Sequence, residues 1–196
     1  MQPEPAAAES PLSLTLANEP ATAALAGWVA RRLRPGARIH LSGDLGAGKT
    51  TFTRTVLSTL GHTGRVRSPT FTLMEPYNLS KFDVYHFDFY RFSSEHDWRH
   101  AGFDEPIGDD AAVAIVEWPE MAGDDLPPPD LHLRLLFCDE GHGNGTDSGG
   151  EGDGDEGGNT RRVQVRAATA RGHAWLNDLR RAVTAGRLAG ISCVTA

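Results

Sequence analysis

Gly43-Asp44-Leu45-Gly46-Ala47-Gly48-Lys49-Thr50 is the stretch that decides the fold. It satisfies the pattern G-x-x-x-x-G-K-[ST] at every fixed position. Glycines in such a loop let backbone N–H groups turn inward around phosphate oxygens, where a Cβ would obstruct them. Lys49 is then the candidate for the β- and γ-phosphates, and the Thr50 hydroxyl for Mg²⁺. Working outward, Ala37-Arg38-Ile39-His40-Leu41 reads as a strand entering the loop. Lys49 to Leu60, including Thr51, reads as a helix leaving it, with Phe52, Val56, Leu57 and Leu60 on one face and Gly61 as its stop. The N-terminus of that helix carries unsatisfied N–H groups and the positive end of the helix dipole toward a bound phosphate. A chance glycine-rich turn would not explain the strand on one side and the helix on the other. The expected ligand is a nucleoside triphosphate with Mg²⁺. The guanine-reading Asn-Lys-x-Asp is absent from the chain, which favours ATP over GTP.

At 196 residues the chain is expected to form one domain with a core large enough to need no covalent staple. Residues 1–12 read as a disordered tail and 13–196 as a single domain, with 139–160 as an acidic, glycine-rich disordered loop. That loop meets neither the EF-hand nor the nonapeptide calcium pattern. Cys138 and Cys193 match no metal-ligand spacing and imply a reduced, cytoplasmic protein. The N-terminus lacks the basic and apolar regions of a secretory signal, and no apolar run nears the roughly 20 residues of a membrane span. The net charge of −7 is unevenly placed. Seven acids and no Lys or Arg lie between Asp139 and Thr160; removing them from the 26 acids leaves 19, equal to the 19 basic residues. The remaining body is near neutral, so any RNA connection is expected to run through a partner.

Elsewhere, Asn18-Glu19-Pro20 opens a helix carrying Leu25, Trp28, Val29 and Leu33, which Pro35-Gly36 ends. Asp83 to Phe89 and Ala111 to Val116 read as strands, and Ser93 to Gly102 as a short helix. Leu131 to Phe137 and Val163 to Val165 alternate as two strands expected to pair antiparallel, and Trp175, Leu176, Leu179 and Val183 mark a closing helix. Phosphoryl chemistry also needs a carboxylate near the metal and a group to position the attacking oxygen. Asp88 and Glu117 qualify because each ends a predicted core strand, where open parallel sheets place their ligands. Spacing leaves open which of them holds the metal. Thr70 follows Ser68-Pro69 in a loop able to reach the γ-phosphate, or forms a surface turn. Arg91 is a candidate to neutralise phosphate or to pair with a surface acid. Trp118 is a candidate to pack beside the site. His96 and His100 are spaced as in zinc proteases, but the Glu of that motif and a third ligand are missing, which points to a solvated helix face.

Five segments occur together: 43–52, Ser-Pro-Thr-Phe-Thr-Leu at 68–73, Glu-Pro-Tyr at 75–77, His-Phe-Asp-Phe-Tyr-Arg at 86–91 and Val-Glu-Trp-Pro at 116–119. In this order they resemble the TsaE (YjeE) family. The resemblance spans about residues 14–137 and, more weakly, 161–180; Glu19 and Thr22 resemble the family's N-terminal Glu-x-x-Thr. It implies a small P-loop ATPase that works with the TsaD–TsaB pair in threonylcarbamoylation of adenosine 37 of tRNAs reading codons that begin with A. ATP hydrolysis would reset the pair, and tRNA would be met only through the complex. The resemblance places Mg²⁺ on Thr50 and Glu117, phosphates on residues 43–50, the nucleoside near Glu19, and hydrolysis at Asp88. The expected fold is α/β of the P-loop NTPase type, three-layer α/β/α, with a mainly parallel central sheet and a small C-terminal antiparallel hairpin. The rival reading is a P-loop small-molecule kinase. Against it, the long insert is acidic rather than the arginine-bearing lid that phosphate transfer calls for.

Overall fold

The computed structural model describes residues 10–138 and 160–194. The elements are β1 (Leu12–Leu16), α1 (Glu19–Ala30), β2 (Arg38–Ser42), α2 (Lys49–Thr59), β3 (Met74–Asn78), β4 (Asp83–Asp88), α3 (Asp97–His100), α4 (Asp104–Gly108), β5 (Val113–Glu117), a 3₁₀ segment (Pro119–Asp125), β6 (Leu131–Phe137), β7 (Arg161–Arg166), α5 (Ala170–Thr184) and β8 (Ile191–Cys193). Asn18 caps α1, accepting a hydrogen bond from the Ala21 N–H at 2.9 Å. Thr169 caps α5 by accepting from the Gly172 N–H at 3.0 Å.

One sheet runs β3-β4-β5-β2-β6-β7-β1-β8. Its centre is parallel, with β2 paired on one side to β5 and on the other to β6, and β4 paired to β5. The outer pairings, β3 to β4, β6 to β7, β7 to β1 and β1 to β8, are antiparallel. Three of seven pairings are therefore parallel, and the expectation of a mainly parallel sheet holds only for the middle. The difference comes from strands the sequence reading did not identify. Leu12-Ser13-Leu14-Thr15-Leu16 alternates with period two, and its leucines are buried, so Leu12 belongs to the sheet rather than to a tail. This five-residue strand is held in the sheet by β7 and β8, which lie far away in sequence. Likewise β3 carries Pro76, which an edge strand tolerates because that edge needs no N–H donor. Of the expected disordered segments, residues 1–9 and 139–159 lie outside the described residues.

The layers are also unequal. Ile39, Leu41, Ile115, Leu133 and Val163 point into one large apolar cluster with Leu25, Val29, Phe52, Val56, Trp175 and Leu179 from α1, α2 and α5. Ala114, Val116 and Phe87 point the other way, into a smaller cluster with Phe89, Trp98, Ile107 and Ala122. Short helices thus cover the second face over β4 and β5. Over β2, β6 and β7 that face instead presents Ser42, His132, Arg134, Gln164 and Arg166 around an open cavity of about 390 Å³. Among the described residues the three-layer expectation is met only in part, because no helix lies over this polar half.

Two constraints tie β2 to its neighbours. At the entry end, the buried carboxylate of Asp130 accepts from the Arg38 N–H at 3.1 Å and takes a two-pronged hydrogen bond from Arg171 at 3.0 and 2.8 Å. Burial alone would raise the Asp130 pKa, but these donors together with Thr169 hold it below its ordinary value. At the exit end, Gly43 has φ of +129° and lies so close to β6 that a Cβ would stand 2.1 Å from the Leu135 carbonyl oxygen. Gly43→Ala is expected to lower stability by at least about 3 kcal/mol in chemical denaturation, combining backbone strain with a clash that cannot be relieved by a side-chain rotation. His40, 5% exposed on β2, packs edge-on to His132 at 6.2 Å. Burial, with help from His132 and Arg38, lowers its pKa from 6.5 to about 3. A histidine kept neutral in the fold contributes stability that is full above pH 6.5 and is lost as pH falls from 6.5 toward 3. Wild type is therefore expected to lose about 2 kcal/mol more than His40→Leu between pH 7 and pH 5, read as the difference between their denaturation curves.

Candidate functional site

Register brings the site together. Glu117, the last residue of β5, stands opposite Leu41 of β2 and Asp88 of β4. The strand ends that carry the phosphate loop and the two acids thus lie level at one edge of the parallel centre. From that edge α2 departs with Gly48 at φ +106° and no side chain capping its first turn. Its leading N–H groups are left for an anion.

Lys49 is buried, and its Nζ donates to the carbonyls of Gly43 at 2.6 Å and Asp44 at 2.8 Å. The same ammonium sits 3.8 Å from the centre of the Trp118 ring. Burial lowers the Lys49 pKa from its ordinary value against the opposing pull of Glu117, Glu120, Asp88 and Asp44. Trp118 itself has φ of +58°, a strained conformation for a bulky residue. That turn puts the indole over Lys49 and against Tyr90, with ring centres 5.1 Å apart.

The two carboxylates divide clearly by partner. Glu117 is 2% exposed; its Oε2 accepts from the Thr50 hydroxyl at 3.0 Å, and its Oε1 lies 2.8 Å from His86 Nε2. Asp88, also 2% exposed, accepts from Ser68 and Thr70 through Oδ2, each at 2.6 Å, and from the Tyr90 N–H through Oδ1 at 3.0 Å. Both acids, together with Lys49, Thr50, Thr51, Thr70 and Trp118, line one cavity of about 300 Å³ beside Leu45, Gly46 and Gly48.

Of the residues singled out from sequence, the structure gathers Lys49, Thr50, Thr51, Thr70, Asp88, Glu117 and Trp118 here. Glu19 stands exposed in the first turn of α1 and does not line this cavity. Arg91 does not line this cavity; it lies over the ring of Phe71 at 4.5 Å, and Phe71 is 84% exposed. His96 is exposed near Glu95 and Asp125, in keeping with a solvated face. Three residues were missed. His86 reaches Glu117, and its position two residues before Asp88 on the same strand was the available signal. Ser68 shares Asp88 with Thr70. Arg161 of β7 donates to the Ala47 carbonyl at 3.0 Å and supports the phosphate loop from a strand more than a hundred residues away, which no local pattern announces.

The donor set fits a small, hard cation. Among the described residues no cluster of three or more His, Cys, Asp or Glu is placed to hold a metal. Thr50 and Glu117 offer two oxygens at hydrogen-bond distance from one another. That pair suits Mg²⁺, which takes one or two protein oxygens and completes its shell with phosphate and water.

Comparison with known proteins points to one family. A family profile described as threonylcarbamoyl adenosine biosynthesis protein TsaE matches residues 16–142. The tRNA threonylcarbamoyladenosine biosynthesis protein TsaE of Haemophilus influenzae is 39% identical over 102 residues, covering 52% of this chain and 64% of that protein. Its counterpart in Bacillus subtilis is 40% identical over 118 residues, covering 60% and 73%; that of Rickettsia felis is 38% identical over 128 residues, covering 65% and 74%. The crystal structure of Bacillus subtilis YdiB superposes with a TM-score of 0.61 at 28% identity, covering 87% of this chain and 95% of that one. The chain belongs to the TsaE family of tRNA threonylcarbamoyladenosine biosynthesis proteins.

Proposed function

We propose that the chain is a Mg²⁺-dependent ATPase that acts with TsaD and TsaB in threonylcarbamoylation of adenosine 37, its hydrolysis resetting that pair between turnovers. It is a cytoplasmic role, with tRNA met in the complex; among the described residues no helix is long and apolar enough to cross a membrane. The observation that carries this reading is the convergence of the phosphate loop, the Thr50–Glu117 pair and Asp88 in one cavity.

In this reading residues 43–50 and the Thr51 N-terminal turn of α2 hold the phosphates. Lys49 exchanges the carbonyls of Gly43 and Asp44 for the β- and γ-phosphates, a short move because the loop already surrounds its ammonium. Thr50 and Glu117 hold Mg²⁺, which when bound supplies charge neutralisation of the phosphates. His86 fixes the Glu117 carboxylate from behind. Water attacks the γ-phosphorus, the new P–O bond forms as the bond to the β,γ-bridging oxygen breaks, and ADP and phosphate leave. Asp88 accepts the water's proton, and the hydroxyls of Ser68 and Thr70 orient its carboxylate. Glu19, which does not line the phosphate cavity, serves the nucleoside.

ATP turnover measured with Mg²⁺, alone and with the cognate TsaD–TsaB pair, tests the reading. The isolated chain is expected to turn over slowly and the pair to raise the rate. Lys49→Ala should abolish both rates; an unchanged rate on adding saturating pair would overturn the partnership. Asp88→Asn is expected to lower kcat by about 10²-fold or more with ATP binding retained. Glu117→Gln should instead raise the Mg²⁺ concentration needed for half-maximal rate. If both substitutions left turnover and its metal dependence unaltered, the site assignment would fail.

A further inference from the structure

A second cleft lies away from the phosphate cavity and shares no lining residue with it. Arg31 and Arg32 from the end of α1, Arg181 from α5, and Arg187 from the turn after it converge on a space of about 490 Å³, with Asp178 as the only acid in the lining. Asp178 is engaged by Arg181. Among the described residues Arg31, Arg32 and Arg187 form no close ion pair with a carboxylate, although Asp178 attracts Arg32 from farther off.

The cleft is built rather than merely charged. Arg32 lies flat over Trp28 with its guanidinium carbon 3.5 Å from the ring centre, and its Nη1 donates to the Trp28 carbonyl at 3.2 Å. That stacking fixes one fork of donors before any ligand arrives. Burial lowers the Arg32 pKa from its ordinary value; Asp178 pulls it back, and Arg31 and Arg187 push it down again, so the like charges press on one another. Crowded cations are relieved by an anion, and the arginine fork matches the paired oxygens of a phosphate. The only aromatic ring in the cleft, Trp28, is 4% exposed and lies beneath Arg32, so no face is open for stacking a base. The contact available is to the charged backbone alone. Chain-wide charge balance had pointed away from such a surface, but balance over a whole body does not describe the local excess here.

We propose that this arginine cleft grips the phosphodiester backbone of RNA, independently of base sequence. RNA fits the cleft better than an acidic peptide does, because successive phosphates present charge along an open groove that offers little apolar wall for side chains. It is also the class of molecule that the TsaE family's pathway modifies. Arg181, Arg187 and Asp178 lie beyond the residues matched by the family profile, so the cleft is formed jointly by the matched region and the C-terminal helix and turn. The contact needs neither ATP hydrolysis nor the TsaD–TsaB pair.

The experiment is fluorescence anisotropy of labelled, unmodified tRNA with the full chain across a series of salt concentrations. Binding is expected to weaken with salt, with a slope of about −2 to −3 in log K against log salt for a few neutralised phosphates. The double variant Arg31→Gln/Arg187→Gln should bind about tenfold more weakly with a shallower slope, whereas Arg31→Lys/Arg187→Lys should retain most of the affinity. Asp178→Asn should bind more tightly, an effect opposite to that of general damage. Lys49→Ala should bind tRNA as wild type does, which separates this cleft from the nucleotide site and from failure of the ATPase reading. Absence of tRNA binding would overturn the proposal, as would equal affinity in the glutamine variant. Selective binding of a labelled oligoglutamate peptide, or competition by inorganic phosphate at the same concentration as by RNA phosphate, would also overturn it in favour of a protein or small-anion site.

Discussion

The site depends on the parallel register that sets β2 between β5 and β6. Because Leu41 and Asp88 both stand opposite Glu117, the glycine-rich loop and the two acids begin from one level. A shift of one residue in β5 would turn Glu117 to the other face of the sheet and break its hydrogen bonds to Thr50 and His86. The apolar alternation of β5 resists that shift, since Val113 and Ile115 belong to the large cluster and Ala114 and Val116 to the small one. Packing on both faces therefore holds the chemistry in place.

The antiparallel wing adds support that a parallel centre alone would lack. Gly43 rests on the Leu135 backbone of β6, and Arg161 of β7 reaches the Ala47 carbonyl. The loop that is expected to hold phosphate is thus backed by two strands that carry none of its motif. At the other end Asp130 and Arg171 tie the start of β2 to α5, so both ends of the central strand are held by residues distant in sequence. Backbone strain falls at Leu73 and at Trp118, where a left-handed backbone aims an indole at Lys49.

Much of this was legible from residues alone, for identifiable reasons. The phosphate loop, its flanking strand and helix, and the caps at Asn18 rest on local rules in which a few neighbours decide the backbone. Asp88 and Glu117 were visible as acids ending apolar runs; spacing left open which of them meets Thr50, and only the family resemblance favoured Glu117. Only the structure shows Glu117 on Thr50 and Asp88 on Ser68 and Thr70, because those partners lie 67, 20 and 18 residues away. The strand β1 carried a readable alternation, yet its place in the sheet depends on β7 and β8. Arg91 shows a contact that charge alone did not suggest, its guanidinium lying over the ring of Phe71.

By itself, then, the sequence determined that a glycine-rich loop of the phosphate-binding pattern lies between a strand and a helix, and it set two acids at strand ends. Those are consequences of covalent neighbours, of glycine's freedom at Gly43 and Gly48 and of apolar periodicity. Tertiary structure decided which acid meets Thr50, that half of one sheet face stays polar and open, and that four arginines from distant stretches of the chain meet in one cleft. Such outcomes depend on strand order and helix placement, which bring distant residues within a few ångströms and which no local run of sequence encodes.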